Sequence, residues 1–243
     1  MVITGASSGI GEALARYYAS TDSVLGLISR RPPPANLPGT VVPYPIDVRD
    51  EAVLASAAQD FIGRFGAPDL VIANAGIATG TLGEAMEDIA KLRAVLDVNV
   101  IGMAASLAAF APAMRRAGRG TLVCIASVAS FRGLAGNGAY SSSKAAARTW
   151  TESLRTELYG SGVSVVCICP GYIDTPLTRV NRFRMPFLLS PEEAAPKIAR
   201  AIAARRRVAV IPWQMALVAI VLRLMPDWLF DRLASRAPRK PRN

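Results

Sequence analysis

Short hydrophobic runs alternate with longer, alanine-rich segments along the 243-residue chain. The runs are rich in β-branched residues and almost continuously apolar, as expected for strands buried on both faces of a parallel sheet. Their alternation with helical segments is typical of βαβ units and indicates an α/β fold. The predicted strands span residues 2–4, 23–29, 41–47, 69–75, 120–127, 163–170 and 207–212.

Helices are predicted near residues 10–20, 50–65, 84–116, 139–160 and 191–204. The last of these begins with the sequence SPEE at residues 190–193. This sequence combines a capping serine, a first-turn proline and acidic residues that complement the helix dipole. No internal repeat or low-complexity linker interrupts the pattern, so we expect a single domain.

Positive charge is concentrated towards the C-terminal end. Residues 1–178 carry 14 Lys and Arg against 14 Asp and Glu, whereas residues 179–243 carry 14 against four. The whole net charge of +10 therefore comes from the last quarter of the chain. A basic segment of this kind favours anionic partners, such as a membrane surface, a phosphorylated ligand or nucleic acid.

The chain contains no histidine. This excludes serine–histidine hydrolysis, histidine general-base catalysis and most zinc sites, and no metal site is predicted. Cys124, Cys167 and Cys169 lie in apolar runs without CxxC spacing, which favours buried, reduced thiols in a cytoplasmic protein. The sequence begins MVITGASSG, without a charged segment or cleavage site, so no signal peptide is expected.

Two apolar stretches require testing as membrane spans. Residues 98–114 are uncharged but contain Asn99 and Pro112, so a buried helix at an interface is predicted there. Residues 215–222 form only a short run, whereas a helix needs about 20 residues to cross a bilayer. We therefore expect that the protein does not span a membrane.

A glycine-rich turn connects the first predicted strand to the first helix. It reads TGASSGIG at residues 4–11, and Gly5, Gly9 and Gly11 follow a GxxxGxG pattern. Glycines allow a ligand to approach the backbone closely, and the N-terminus of the following helix favours a pyrophosphate. Such turns also occur for geometric reasons alone, but the position at the first strand–helix turn favours nucleotide binding.

Polar residues and glycines also follow the later strands, at Asp47-Val48, Asn74-Ala75-Gly76, Ser127 and PGYIDTP over residues 170–176. An aspartate at a strand end can accept a hydrogen bond from an adenine amino group, or it can cap a turn. For Asp47, both interpretations remain open.

Residues 140–144 read YSSSK, which places Tyr140 and Lys144 on one face of a predicted helix. In water a tyrosine titrates near ~10 and a lysine near ~10.4, so neither is an obvious proton catalyst at neutral pH. By itself, the pair is typical of a solvated helix surface.

Taken together, in their order and spacing, these motifs resemble the short-chain dehydrogenase/reductase family in its compact subtype, with TGxxxGxG and YxxxK motifs. The resemblance covers roughly residues 2–212 and implies a Rossmann-type, doubly wound parallel sheet of about seven strands with helices on both faces. It implies a nicotinamide cofactor and the catalytic residues Asn99, Ser127, Tyr140 and Lys144. The implied cofactor-binding residues are Gly5, Ser7, Ser8, Gly9, Ile10, Gly11, Arg30, Arg31, Asp47, Val48, Asn74, Ala75, Gly76, Tyr140, Lys144, Pro170, Gly171, Ile173 and Thr175.

The resemblance assigns a task to each catalytic side chain. Hydride moves between the nicotinamide and a carbinol carbon, while a proton moves between Tyr140 and the oxygen of that carbon. Lys144 places positive charge beside the phenol, which favours the phenolate, and it also holds the ribose hydroxyls of the cofactor. Ser127 hydrogen-bonds to the substrate oxygen, and Asn99 holds a water that links Lys144 to solvent.

The choice of cofactor depends on the residues after the second strand, Ser29-Arg30-Arg31. An acidic residue there binds the ribose 2′-hydroxyl of NAD, whereas arginine pairs with the 2′-phosphate of NADP. Two arginines and no acid favour NADP(H), although a solvated basic turn has the same composition. Use of NAD(H) stays open because Ser8 occupies the place of a second basic residue found in some NADP-dependent relatives.

The sequence after PGYIDTP suggests a mobile substrate lid near residues 177–195, because RVNRFRMPFLL at residues 179–189 mixes aromatic, apolar and basic residues. No nucleic-acid-binding motif accompanies it, and no nucleic-acid partner is predicted. We take residues 1–212, with this lid, as the catalytic domain and residues 213–243 as an apolar and then basic extension of it.

The extension has two interpretations. Its bulky apolar residues are Trp213, Leu217, Ile220, Leu224, Trp228 and Phe230, and its basic residues include Arg232, Arg236, Arg239, Lys240 and Arg242. In the first, it is a helix followed by a solvated tail, and the helix packs on a neighbouring subunit or over the substrate entrance. In the second, it is an interfacial helix that docks on anionic lipid. Pro226 is expected to interrupt the helix in both cases.

The sequence therefore predicts an NADP(H)-dependent carbonyl reductase or alcohol dehydrogenase that acts on a hydrophobic, lipid-like ketone or secondary alcohol. We expect a homodimer or homotetramer in the cytoplasm, with peripheral attachment to the inner face of a membrane as an alternative. Two rival functions are a nucleotide-binding sensor or scaffold without turnover, and a membrane-surface interaction protein.

Overall fold

The computed structural model describes residues 1–19, 22–236 and 239–242. Ser20, at the expected end of the first helix, and Ala237, Pro238 and Asn243 of the expected C-terminal extension lie outside the described residues.

The described chain forms a parallel sheet whose strand order is β3-β2-β1-β4-β5-β6-β7. The strands are β1 (Val2–Thr4), β2 (Val24–Ile28), β3 (Thr40–Tyr44), β4 (Leu70–Ala73), β5 (Gly120–Ile125), β6 (Val163–Pro170) and β7 (Val208–Ile211). The order reverses between β1 and β4, and the crevice at such a switch point is where ligands bind in open α/β sheets. The predicted Rossmann-type sheet is confirmed.

Helices cover both faces of the sheet. Their bounds are α1 (Gly9–Ala19), α2 (Glu51–Phe65), α3 (Ile89–Leu96), α4 (Met103–Ala108), α5 (Ala111–Ala117), α6 (Gly138–Glu157), α7 (Pro176–Arg179), α8 (Pro191–Ala203), α9 (Gln214–Leu224) and α10 (Asp227–Ala234). One core joins the sheet to α2, α4 and α6 through residues such as Phe61, Leu107 and Leu154. The other joins it to α1 and α8 through residues such as Leu14 and Ile198. Cys124, Cys167 and Cys169 are buried and form no disulfide.

The helical segment predicted near residues 84–116 is present as the run Met86–Ala117, but it is not a uniform α-helix. The segment begins with a 3₁₀ turn at Met86–Asp88, and a π-helical turn at Asp97–Gly102 separates α3 from α4. Gly102 packs closely there, because a Cβ atom on it would lie 2.7 Å from Val48 Cγ2. A second break precedes α5, whose first turn contains a proline, which lacks the amide hydrogen needed to continue a helix.

Within the described residues, one helical run, Met86–Ala117, is long and apolar enough to cross a membrane by length and composition alone. Half of its most apolar window is buried in the fold. The run packs against β4, β5 and α6, which agrees with the buried helix expected for residues 98–114.

The C-terminal extension is packed on the domain at several points. Met215 and Ala219 of α9 are buried against Val128. Arg132 donates to the carbonyl oxygens of Leu222 and Met225 at the junction of α9 and α10. Pro226 lies between α9 and α10 as the N-cap of α10, so the interruption predicted from the sequence is present.

The expected solvated tail is wrong for residues 239–242. Arg242 lies 3.0 Å from Asp88, whose side chain is only 2% exposed, and the carbonyl oxygen of Pro241 accepts a hydrogen bond from the amide of Gly80 at 2.9 Å. The tail therefore returns to the body of the protein because a buried carboxylate provides a partner for its arginine.

Asp88 supplies the first testable prediction. Hydrogen bonds from the Leu82 amide, Arg242 and Lys91 lower the pKa of Asp88 to about 2, from a usual value of 3.8. Since the folded pKa is depressed, the stabilisation is complete above pH 3.8 and is lost as the pH falls towards 2. Asp88→Asn should therefore unfold at a lower temperature than the wild type at pH 6, and the difference should shrink between pH 4 and pH 2.

Differential scanning fluorimetry over this pH range measures the effect. Asp231→Asn, at an exposed aspartate of α10, is the control and should change the unfolding temperature little at any pH. A pH-independent difference between wild type and Asp88→Asn would contradict the prediction.

Candidate active site

A cleft with a volume of about 330 Å³ lies at the carboxyl edge of the sheet. This volume falls within the range of small-molecule sites. The predicted site residues that line it are Gly5, Ser7, Ser8, Gly9, Ile10, Arg30, Arg31, Asp47, Val48, Asn74, Ala75, Gly76, Ser127, Tyr140, Lys144, Pro170, Gly171, Ile173 and Thr175. Gly11 and Asn99 are the predicted residues outside this lining. The structure thus brings together residues from six strand ends, while their individual roles stay predictions.

The glycine turn is shaped for close approach. Gly5 and Gly9 have positive φ angles of 67° and 57°, which non-glycine residues adopt only at a cost. A Cβ atom on Gly9 would lie 2.8 Å from Thr175 Cγ2, so a side chain there would narrow the cleft. A Cβ atom on Gly11 would instead overlap the carbonyl oxygen of Gly5, which makes Gly11 a packing position.

Asn74 connects the glycine turn to the end of β4. Its side-chain amide donates to the carbonyl oxygens of Thr4 and Gly5 at 3.1 and 3.3 Å. The hydroxyl oxygen of Thr4 in turn accepts hydrogen bonds from the amides of Asn74 and Ala75, each at 3.1 Å. These bonds fix the spacing between two neighbouring strand ends on the floor of the cleft.

The two arginines after β2 have different polar partners, Ser8 for Arg31 and Asp47 for Arg30. Arg31 Nη2 donates to the Ser8 hydroxyl oxygen at 3.2 Å, which places its guanidinium beside the glycine turn. The hydroxyl of Ser29 donates to the carbonyl oxygen of Arg31 at 2.7 Å and fixes the backbone there. Arg30 lies 3.7 Å from the carboxylate of Asp47 and is largely exposed.

Asp47 forms a turn with Arg49. Its carboxylate accepts hydrogen bonds from the Arg49 amide at 3.0 Å and from the guanidinium at 2.7 Å. The side-chain hydrogen bond from Arg49 is the main cause that lowers the pKa of Asp47. The contacts of Asp47 are therefore those of a turn cap. Its carboxylate retains lone pairs for a further donor, so the predicted contact with an adenine amino group stays a prediction.

Lys144 is almost completely buried under the cleft. Its side chain is on α6, and Nζ donates to the carbonyl oxygen of Ile125, at the end of β5, at 2.8 Å. The same atom lies 5.8 Å from the centroid of the Tyr140 ring. The ammonium is therefore fixed near the face of the Tyr140 ring, one helical turn along α6, as the YSSSK spacing predicts.

Asn99 is held in the π-helical turn and is buried. Its carboxamide accepts from the Ile77 amide at 2.8 Å and donates to the Ile77 carbonyl oxygen at 2.9 Å. It also donates to the hydroxyl of Ser143 at 3.0 Å. Asn99 thus positions the chain after β4 and connects it to α6, while its predicted role in holding a water stays a prediction.

Ser127 and Thr175 are positioned by local capping. Ser127 has an extended backbone, and its hydroxyl oxygen accepts from the Ala129 amide at 3.1 Å, which leaves the hydroxyl hydrogen free to point elsewhere. Thr175 caps α7 through Thr178, whose hydroxyl also donates to the carbonyl oxygen of Ile173.

Sequence reasoning missed several groups that shape the site. Ser143 and Thr4 lie inside quoted motifs, so their polar side chains were visible signals. The backbone groups of Ile77 and Ile125 carry no such signal, because every residue has an amide and a carbonyl group. Their importance comes only from the three-dimensional arrangement.

The short chain dehydrogenase family model matches residues 1–184. This match covers most of the chain, which therefore belongs to the short-chain dehydrogenase family of oxidoreductases. An uncharacterized oxidoreductase of Myxococcus xanthus is 38% identical and covers 97% of this chain and 96% of its own. Ketoacyl reductase HetN of a Nostoc species is 31% identical over 83% of this chain and 74% of its own length.

Two solved structures have similar folds. The crystal structure of a short chain dehydrogenase from Burkholderia cenocepacia in complex with NADP superposes with a TM-score of 0.82 at 27% identity, covering 98% of this chain and 97% of that one. An alcohol dehydrogenase from Thermococcus sibiricus, complexed with 5-hydroxy-NADP, gives a TM-score of 0.73 at 28% identity, with coverages of 86% and 93%.

The contacts of Asn99 generate a prediction about stability. Asn99→Ala leaves the half-buried Ile77 amide and carbonyl group without their partner, and an unsatisfied group costs up to about 1–3 kcal/mol when it is buried. Urea unfolding should therefore show a clear loss of stability. Ser106→Ala is the control, because the buried hydroxyl of Ser106 donates only to a helix carbonyl one turn earlier and should matter less. Equal losses of stability in Asn99→Ala and Ser106→Ala would contradict the role of Asn99 in holding the Ile77 backbone.

Proposed function

We propose that the protein transfers hydride between NADP(H) and the carbonyl or carbinol carbon of a hydrophobic, lipid-like ketone or secondary alcohol. The observation that carries the proposal is the fixed position of the Lys144 ammonium, 5.8 Å from the Tyr140 ring centroid in the cleft. Lys144 is anchored at the end of β5, and Ser127, which follows that strand, lines the same cleft. The cofactor supplies or accepts the hydride when bound, and the protein supplies binding, orientation and the proton.

The nucleotide fits the first half of the cleft. Gly5 and Gly9 keep side chains away from the turn, and the N-terminus of α1 offers unpaired amide groups to a pyrophosphate. Arg31 beside Ser8 provides a cation for a ribose 2′-phosphate, whereas Asp47, a nearby carboxylate that lines the cleft, is paired with Arg49.

The proton step uses the second half of the cleft. In the reductive direction, Tyr140 donates its phenolic proton to the oxygen of the carbonyl group that receives the hydride. Lys144 stabilises the phenolate that forms, because its ammonium is close and buried, where a charge acts more strongly than in water. Ser127 orients the substrate oxygen with its free hydroxyl hydrogen.

Tyr140→Phe tests this mechanism. The variant keeps the ring but loses the proton, so carbonyl reduction followed at the nicotinamide absorbance should fall by ~10²–10⁴-fold. Binding of NADPH, measured by fluorescence titration, should be largely retained. Tyr159→Phe is the control, because Tyr159 is 90% exposed after the end of α6.

Undiminished turnover in Tyr140→Phe would remove the proposed mechanism. Nucleotide binding without turnover by the wild type, over a panel of ketones and alcohols, would instead favour the rival function of a sensor or scaffold.

Arg31→Ala tests the preference for NADPH. Loss of a charge-assisted contact with the 2′-phosphate should lower kcat/KM for NADPH by roughly tenfold or more. The value for NADH should change little, because NADH has no 2′-phosphate. Arg64→Ala, on the exposed surface of α2, is the control. A parallel loss with both cofactors would contradict the assignment.

We also propose that residues 213–236 extend the catalytic domain and dock it on an anionic lipid surface from the cytoplasmic side. Trp213, Leu217, Leu224 and Trp228 are each more than half exposed in α9, α10 and the residue before α9. Arg223, Arg232 and Arg236 provide positive charge on the same two-helix segment. Tryptophans at headgroup level and arginines near lipid phosphates are typical of interfacial helices.

Vesicle co-sedimentation tests the lipid surface. Binding should require acidic lipid, weaken with salt and decrease in Trp228→Gln, but not in Tyr159→Gln, whose exposed aromatic ring lies elsewhere. Light scattering in the same buffers measures the predicted homodimer or homotetramer. If the wild type does not pellet with vesicles and Trp228→Gln no longer forms the oligomer, the exposed face of α9 and α10 binds a second copy of the chain instead.

A further inference from the structure

Residues 239–242, called the strap below, contact three segments that follow neighbouring strands. The Gly80 amide, after β4, donates to the Pro241 carbonyl oxygen at 2.9 Å. Lys240 Nζ donates to the Leu177 carbonyl oxygen, after β6, at 2.9 Å. After β5, Arg239 packs so closely on Gly136 that a Cβ atom there would lie 2.7 Å from Arg239 Cβ.

Each of these three segments is close in sequence to residues that line the cleft. Gly80 follows Gly76 by four residues, and Gly136 precedes Tyr140 by four. Leu177 itself lines the cleft. Because the Lys240 ammonium donates to the backbone of Leu177, the strap lies next to this part of the cleft.

The strap is held in this position by buried charge. Arg242 Nε lies 3.0 Å from Asp88, and Arg242 Nη2 donates to Glu87 at 3.0 Å. Lys91 Nζ donates to the Arg242 carbonyl oxygen at 2.8 Å. Because the Asp88 carboxylate is buried, loss of its arginine partner would be costly, which favours a fixed strap.

Lys240 carries a cation that no carboxylate of the described residues neutralises. An ammonium has three donors, and the Leu177 carbonyl oxygen accepts from one of them. In the described part of the chain, no carboxylate lies within 4.0 Å of this ammonium. Partial burial lowers the pKa of Lys240, because the charged form loses solvation. A carboxylate from a ligand would supply the missing counter-charge.

We propose that the strap forms the substrate-side wall of the cleft and that Lys240 is a specificity-determining residue, which selects carbonyl substrates carrying a carboxylate. The inference rests on the proposed function and makes its substrate class narrower, since an oxo fatty acid combines a hydrophobic chain with an anionic group. The Lys240 ammonium binds the carboxylate, while Tyr140 and Ser127 bind the carbonyl oxygen.

A matched pair of substrates, a medium-chain oxo acid and its methyl ester, tests the role of the charge. The wild type should show the higher kcat/KM for the acid. Lys240→Gln should lower the acid-to-ester ratio of kcat/KM by about tenfold or more, mainly through KM for the acid. Lys197→Gln, which removes an exposed lysine of α8, is the control and should keep the wild-type ratio.

A second pair of variants tests the wall without touching the charge. A Cβ atom on Gly80 would overlap the Lys240 carbonyl oxygen and lie 2.6 Å from that of Pro241, whereas Gly83 has open space around it. Gly80→Ala should therefore displace the strap and lower the acid-to-ester ratio, while Gly83→Ala should leave it unchanged.

The outcomes separate this inference from the function on which it rests. If the wild type reduces both substrates and Lys240→Gln keeps the wild-type ratio, the inference is overturned and the proposed function stands. If the wild type binds NADPH but reduces neither substrate nor any other carbonyl compound, both are overturned. A reduced ratio in Lys240→Gln, with a normal rate for the ester, supports the inference even if Gly80→Ala does not fold.

Discussion

The hydrogen bond from the Lys144 ammonium to the Ile125 carbonyl oxygen connects α6 to the end of β5. A buried ammonium without an acceptor would be costly, and this carbonyl provides the acceptor while the ammonium stays near Tyr140. Much of the site depends on this contact. It fixes the helix that carries the phenol relative to the strand end that leads to Ser127.

Asn99 extends the same framework to the neighbouring strand. Its carboxamide holds the backbone of Ile77, after β4, and the hydroxyl of Ser143, on α6. A Cβ atom on Gly76 would lie 3.2 Å from Asn99 Oδ1 and 3.5 Å from Lys144 Nζ, so the glycine allows these groups to approach one another. The proposed chemistry therefore rests on buried polar groups with defined partners, which make a rigid arrangement.

The cleft combines this rigid centre with two different sides. Around the glycine turn, small residues and exposed arginines leave room for a nucleotide with several phosphates. On the other side, Arg132 and the strap connect the C-terminal segment to loops that follow β4, β5 and β6. The short-chain dehydrogenase fold thus supplies the common centre, and the end of this chain packs on the loops beside it.

The sequence predicted the strands, the family and the residues of the cleft because each depends on local pattern or on spacing within a motif. Strands β1 and β6 have the predicted bounds, and the other five are two or three residues shorter than predicted, since hydrophobic runs continue into the loops at the cleft. The π-helical turn at Asp97–Gly102 was not predicted, because no local sequence pattern marks it as clearly as hydrophobic runs mark the strands. The position of the tail depends on contacts such as Arg242–Glu87, between residues 155 positions apart, which no window of sequence can reveal.

The claim that Tyr140 and Lys144 act as one unit is tested most directly by a double-mutant cycle. The rates of hydride transfer in single turnovers would be compared for wild type, Tyr140→Phe, Lys144→Met and the double variant, with NADPH saturating. Since Lys144 acts on the proton step through the phenol, the double variant should be about as slow as Tyr140→Phe alone. Losses that add in free energy would show that the two side chains act independently and would contradict the account.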